Sequence, residues 1–318
     1  MLEKCRREQW TVDDLDWSGR AREMGEKDEI AIVQYFTDMA GIERLAEALF
    51  AEQARRAEDP VLREIFESFV CDEARHAEVA ERLARYYDVH HYRRYRTSKS
   101  LEDFRPHFLA AVRLASPELA NGYITAGELV LDVALLRSIN DHVRDEMSQR
   151  AMDLVNRDES RHIAVDYHMV EYYASRAYAE RLQREPQPSL FAQVRTIWSV
   201  ANLLWFASPF FREVFFETMD VVDPSGRRLR EAFKRIQLLT LKPTFRTTTF
   251  VRAMLGLQAA YNDRPIVRRV FGRAIERLAG VRPELLARLY TEDDRRRAEH
   301  SSYAELADEA LAAKFATA

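Results

Sequence analysis

Asp72-Glu73-Ala74-Arg75-His76 recurs 86 residues later as Asp158-Glu159-Ser160-Arg161-His162, and this doubled tetrad decides how the chain is read. Of the eight histidines only His76 and His162 follow a glutamate by three positions, each time with the same Asp and Arg around them. Residues three apart on a helix share a face, so Glu and His on adjacent turns can grip one metal ion. One such helix supplies half a site. A di-metal carboxylate bundle needs two Glu-x-x-His helices and one further Glu from each of two other helices.

Both further glutamates have candidates. Glu43 lies 30 residues before Glu73 and Glu128 lies 31 before Glu159, each inside an apolar, helix-like segment. An acid follows each by four positions, Glu47 and Asp132, which could add oxygen ligands or enter ion pairs. Four carboxylates facing one another in a helical core cost several kcal/mol each to desolvate, whereas two divalent ions cancel their charge. The bland alternative makes both tetrads surface salt-bridge patches, but it explains neither the repeat nor the upstream glutamates.

The rest of the chain suits an all-α protein. Nine glycines and ten prolines in 318 residues leave room for long helices. The expected organisation is a charged arm over 1–27, a four-helix bundle over 28–184 and a helical extension over 185–318 packed on it. Within the bundle, helices are expected from about 28 to 56, 60 to 87, 117 onward and 143 to 184, with a polar connection over 88–105. Asp59 before Pro60 and Ser116 before Pro117 read as helix caps. His90 and His91 fall in the connection and are expected to be solvated rather than ligating. Trp198, Trp205, Phe206 and Phe210 to Phe216 read as core at helical spacing, or else as the wall of an apolar pocket.

Net charge of −4 and the lack of a basic stripe with interleaved aromatics argue against nucleic acid. The longest apolar run, near Val200 to Phe211, is too short to span a bilayer, so no membrane association is expected. Cys5 and Cys71 cannot build a disulfide framework, and Cys71 is expected to pack as a small apolar group. With no apolar stretch after the start, a cytoplasmic location is expected.

Taken together, Glu43, Glu73, His76, Glu128, Glu159 and His162 resemble the ligand set of the ferritin-like non-heme di-iron oxidases and oxygenases. That superfamily includes bacterial multicomponent monooxygenases, acyl-carrier-protein desaturases and p-aminobenzoate N-oxygenase-like enzymes. The resemblance covers roughly 28–184 and implies a ferritin-like bundle with additional C-terminal helices. It implies two iron ions, with manganese an alternative at either position, and O2 as co-substrate. It also implies that Asp72 orients His162 and Asp158 orients His76, with Arg75 and Arg161 bracing the acids. Three departures narrow the choice: Ala80 stands where radical subunits carry a tyrosine, Val155 where N-oxygenases carry a further ligating histidine, and no CxxC iron module is present.

The expected function is therefore O2-activating hydroxylation, desaturation or N-oxygenation of a mainly apolar small molecule or carrier-bound substrate. Thr125 and Val155, one turn before ligands, are the candidates for lining the oxygen or substrate side. No flavin, nicotinamide or iron-sulfur motif is present, so electrons are expected from an external donor such as a ferredoxin and its reductase. A homodimer is common among the proteins resembled. The alternative is a ferroxidase or a manganese catalase-like peroxide scavenger without an organic substrate.

Overall fold

The computed structural model describes residues 1–315 other than Gln187, Thr244 and Thr248, and gives only the backbone for residues 247, 249, 250, 253, 254, 278, 279 and 315. The described residues form helices and connections, with no strand among them. The stretch expected as an arm carries a short helix, α1 (Leu2–Arg7), and buries Cys5, Trp10, Val12 and Leu15.

Helix α2 (Glu26–Arg56) opens on Glu26, Asp28 and Glu29 and closes on Arg55 and Arg56, charges that complement the helix dipole. It pairs along its length with α3 (Pro60–Tyr87). Asp59 caps α3, accepting from the backbone N–H of Val61 at 2.7 Å and Leu62 at 2.9 Å, while Pro60 fills the first turn, where no N–H is needed.

The polar connection is shorter than expected. It ends at Ser98, whose backbone N–H and hydroxyl both donate to the buried Asp38 of α2 at 2.6 Å. That anchor lets α4 (Lys99–Leu114) begin inside the stretch read as a connection. Next, α5 (Pro117–Glu128) runs into wider π-type turns over Leu129–Leu136 and then α6 (Arg137–Val143). Arg144, at φ 51°, ends this run, and Asp145 caps α7 (Glu146–Tyr173). The helix expected to reach 184 stops at Tyr173. Ser175 caps a separate α8 (Arg176–Arg184).

The second half begins with α9 (Leu190–Phe210), which continues through π-type turns over Phe211–Phe216 into α10 (Glu217–Val222). It goes on with α11 (Arg227–Thr240), α12 (Thr249–Asp263), α13 (Pro265–Ala279), α14 (Pro283–Leu286), α15 (Glu292–His300) and α16 (Tyr303–Phe315). Helix α9 packs on α4, while α11 and α16 cover the π-type segment after Glu128.

Two readings are corrected here. Cys71 is exposed, because the inward face of α3 is taken by Asp72, Glu73 and His76. The aromatic cluster is split: Phe210, Phe215 and Phe216 are buried, but Trp198 and Trp205 are 70% and 55% exposed, lying on the face of α9 turned away from α4.

The α3 cap yields a direct test. Asp59→Ala should lower stability by about 1 kcal/mol, the usual cost of losing an N-cap, read as a shift of the denaturant midpoint with unchanged slope. An unchanged midpoint contradicts the capping role.

Candidate metal centre

The spacing argument places six side chains together. Glu43 comes from α2, Glu73 and His76 from α3, Glu128 from α5, and Glu159 and His162 from α7. Five of them are fully buried and Glu128 is 4% exposed. They form two overlapping sets that could hold metal ions: Glu43, Glu73, His76 and Glu159, and Glu73, Glu128, Glu159 and His162. Within each set the ligand atoms lie within 4.8 Å of one another. Glu73 and Glu159 belong to both sets.

Both imidazoles turn Nδ1 inward. His76 Nδ1 lies 3.1 Å from Glu159 and 3.6 Å from Glu73, and His162 Nδ1 lies 3.0 Å from Glu159 and 3.1 Å from Glu73. The outer nitrogens cross over: His76 Nε2 is 3.3 Å from Asp158 and His162 Nε2 is 3.4 Å from Asp72. An Nε2–H donated to a carboxylate leaves the Nδ1 lone pair free for a metal, as such histidines require.

The arginines tie this outer layer together. Buried Arg161 donates to Asp72 at 3.0 Å and to Asp158 at 2.8 Å, and Arg75 pairs with Asp72. The N-terminal segment closes the layer. Trp10 donates its indole N–H to Asp158 at 2.7 Å, and Glu8 accepts from Arg161 at 3.0 Å. Sequence reasoning missed both residues; the only available signal was a tryptophan in an otherwise charged segment.

The inner polar atoms are poorly satisfied by protein. Both carboxylate oxygens of Glu43 and Glu73, one of Glu128, one of Glu159 and His76 Nδ1 are buried without a hydrogen-bond partner. Orphaned donors of this kind are costly unless an ion claims them. The donor set therefore fits cations. With the outer aspartates matched by two arginines, four glutamates remain to balance two divalent charges.

Protons take over where cations are absent. Burial, then the charge of Glu73, raises Glu43 far above the carboxylate range, and burial, then Glu159, does the same to Glu128. Burial opposes charging of His76 and His162, but hydrogen bonds and carboxylate charges around them outweigh it and push both well up. Against the same burial, His162 and His76 hold Glu159 well down, and His76 holds Asp158 at about 2.

The remaining candidates separate. Glu47 sits in a half-exposed ion pair with Arg44 at 3.0 Å. Asp132 is buried and pairs with Lys314 of α16 at 2.6 Å; burial raises it to about 6 despite that partner. Neither joins the two ligand sets. His90 and His91 pair with Glu29 and Asp88. Thr125 and Val155 are buried on α5 and α7, with the Thr125 hydroxyl donating to the Asn121 carbonyl at 2.7 Å. One residue beyond the sequence reading is Asp166, one turn after His162, fully buried and with neither oxygen partnered.

No protein-family model matches the chain, and no curated protein or solved structure does.

Two outcomes follow. Asp72→Ala and Asp158→Ala should fold and lose roughly 10 to 100-fold in metal affinity, the cost of deleting a partner of a ligating histidine; affinity equal to the parent's contradicts the crossed arrangement. The second concerns metal-free protein. Glu43, Glu128, His76 and His162 hold their protons to higher pH than their ordinary values of 4.5 and 6.5. The folded state thus binds more protons than the unfolded one, and stability falls as pH rises. Asp158, Asp72 and Glu159 shift the other way, but their contribution is complete well below neutrality. The melting midpoint of metal-free protein should therefore drop across the window above about pH 6.5, the ordinary histidine value, and metal loading should flatten the slope. A midpoint rising across that window contradicts the assignment.

Proposed function

We propose that the chain is a ferritin-like four-helix bundle with additional C-terminal helices, acting as a non-heme di-iron oxygenase or oxidase. The observation that carries the proposal is the sharing of Glu73 and Glu159 by two ligand sets, because shared carboxylates suit a pair of ions that change oxidation state together. Six nitrogen and oxygen donors without thiolate suit iron, with manganese next. When bound, such a pair supplies the electrons that activate O2.

The chain's own residues bind, orient and exclude water. Asp72 and Asp158 hold the Nε2 protons and thereby aim both imidazoles. The Phe50 and Phe69 rings, centred 5.1 Å and 4.2 Å from that of His162, keep that side dry. Beyond them, a cavity of about 400 Å³ opens between α2, α3, α5, α7 and α8, lined by Leu49, Gln53, Phe66, Ala120, Met169 and Tyr173 among others. Phe66 lies in its wall, and its ring is 6.2 Å from those of both Phe50 and Phe69. Phe66 and, behind it, the Phe50 and Phe69 rings therefore stand between the cavity and His162. A substrate-sized, mainly apolar chamber so placed favours an oxygenase over a peroxide scavenger.

In this proposal the chamber takes the pocket role that was the alternative reading of the Trp198 to Phe216 segment. Thr125 and Val155 line the oxygen side, and an external donor such as a ferredoxin with its reductase supplies electrons.

Metal analysis and oxygen uptake test the proposal. Iron-supplemented protein should hold about two ions per chain, falling below about one in Glu159→Ala or His76→Ala. Anaerobically reduced protein should consume O2 in a single turnover. Rapid disproportionation of hydrogen peroxide without reductant-dependent O2 uptake would establish the scavenger instead.

A further inference from the structure

The largest exposed apolar side chains gather on two helices outside the metal centre. On α9, Leu190, Val194, Ile197, Trp198 and Trp205 recur at helical spacing on one face and are 55% to 77% exposed. The other face of α9 buries Ser199, Leu203, Ala207 and Phe210. On α13, Ile275 packs inward with Tyr261 and Leu286, while Ile266, Val270 and Phe271 are 58% to 80% exposed. The two helices meet where the Arg277 guanidinium lies 4.3 Å over the Trp205 ring. Each of these side chains shows on the order of 100 Å², so the combined face is well beyond the few hundred Å² a typical monomer leaves open.

The charge around this face is one-sided. Helices α9 and α13 together carry Arg195, Arg268, Arg269, Arg273 and Arg277 against the single acid Glu276, a net +4 (five minus one) in a chain whose overall charge is −4. All five arginines are exposed, and none is held in an ion pair among the described residues. On α13 Ile266, Val270, Arg273 and Arg277 follow one another along a single helical stripe, so apolar and basic side chains are interleaved on its outer surface.

This combination selects the partner. A second copy in an isologous contact would bring the arginine-rich patch against itself, which like-charge repulsion disfavours. A soluble acidic protein would satisfy the arginines but not specifically an apolar ridge ending in tryptophan. A bilayer interface satisfies both: acyl chains receive the apolar side chains, phosphates receive the guanidinium groups, and tryptophan sits at headgroup level. We propose that α9 and α13 form a docking face for an anionic phospholipid surface, lying in the plane of the headgroups without crossing them. Peripheral docking needs no apolar run of spanning length, which is why hydropathy alone pointed away from membranes. Among the described residues one helical run, Pro117–Val143, is apolar enough to span, and it is mostly buried and carries the metal-site Glu128. The proposal is independent of what the metal centre does.

Co-sedimentation of the full-length protein with phosphatidylcholine vesicles, with and without about one-third phosphatidylserine, tests it. Binding to the anionic vesicles should exceed binding to the neutral ones by at least about tenfold, weaken with salt, and shift tryptophan emission to the blue. The surface variants Arg269→Glu/Arg273→Glu and Ile266→Ser/Phe271→Ser should each lose about tenfold or more while keeping the parent's circular dichroism and metal content. Absence of binding to anionic vesicles overturns the proposal. So does a concentration-dependent dimer that ignores vesicles and is lost in Ile266→Ser/Phe271→Ser, or vesicle binding unchanged in both variants.

Discussion

Four glutamates and two histidines buried in a helical interior are the constraint from which the rest of this structure follows. Carboxylates there are tolerable only if protons or cations neutralise them. The protein provides a second layer for this purpose: two aspartates that fix the imidazoles, two arginines that balance the aspartates, and Trp10 and Glu8 sealing the layer from above. Removing the N-terminal segment would thus open the outer layer of the site, although in sequence it lies far from every ligand.

The C-terminal helices serve the same constraint from another side. Lys314 of α16 reaches Asp132, one turn past Glu128, and also donates to the Asn156 carbonyl, one turn before Ser160 in the second tetrad. A fully buried lysine and aspartate are retained only as a pair, because either alone would be an uncompensated charge. Their position ties the chain's end to the two helices that carry Glu128, Glu159 and His162. The π-type turns over Leu129–Leu136 lie at this junction, covered by α11 and α16.

That six candidate side chains would meet was partly legible in the sequence, because Glu73 with His76 and Glu159 with His162 obey a local rule while Glu43 and Glu128 were picked out only by the repeat. Glu and His three apart share a helix face, and caps such as Asp59 with Pro60 mark where that helix starts. The crossed pairs between Asp72 and His162 and between Asp158 and His76 came from the resemblance; no local spacing shows them. Contacts made by distant segments were not legible. Trp10 to Asp158 spans 148 residues and Lys314 to Asn156 spans 158, and neither end carries a local signal. The aromatic stretch misled for a related reason: helical spacing says that Trp198 and Trp205 share a face but not which face meets α4. Helix ends were read well where a cap was strong and poorly at Ser98 and Ser175, where tertiary anchoring or a single serine makes the break.

On the proposed function, two ions would be held together by the six side chains, with Glu73 and Glu159 available to both. Mössbauer spectroscopy of protein loaded with enriched iron and oxidised in air addresses it most directly. The account predicts a single magnetically coupled diferric pair per chain, diamagnetic at low temperature, consistent with ions about 3.5–4 Å apart. Magnetically isolated high-spin ferric ions, at whatever stoichiometry, would contradict it.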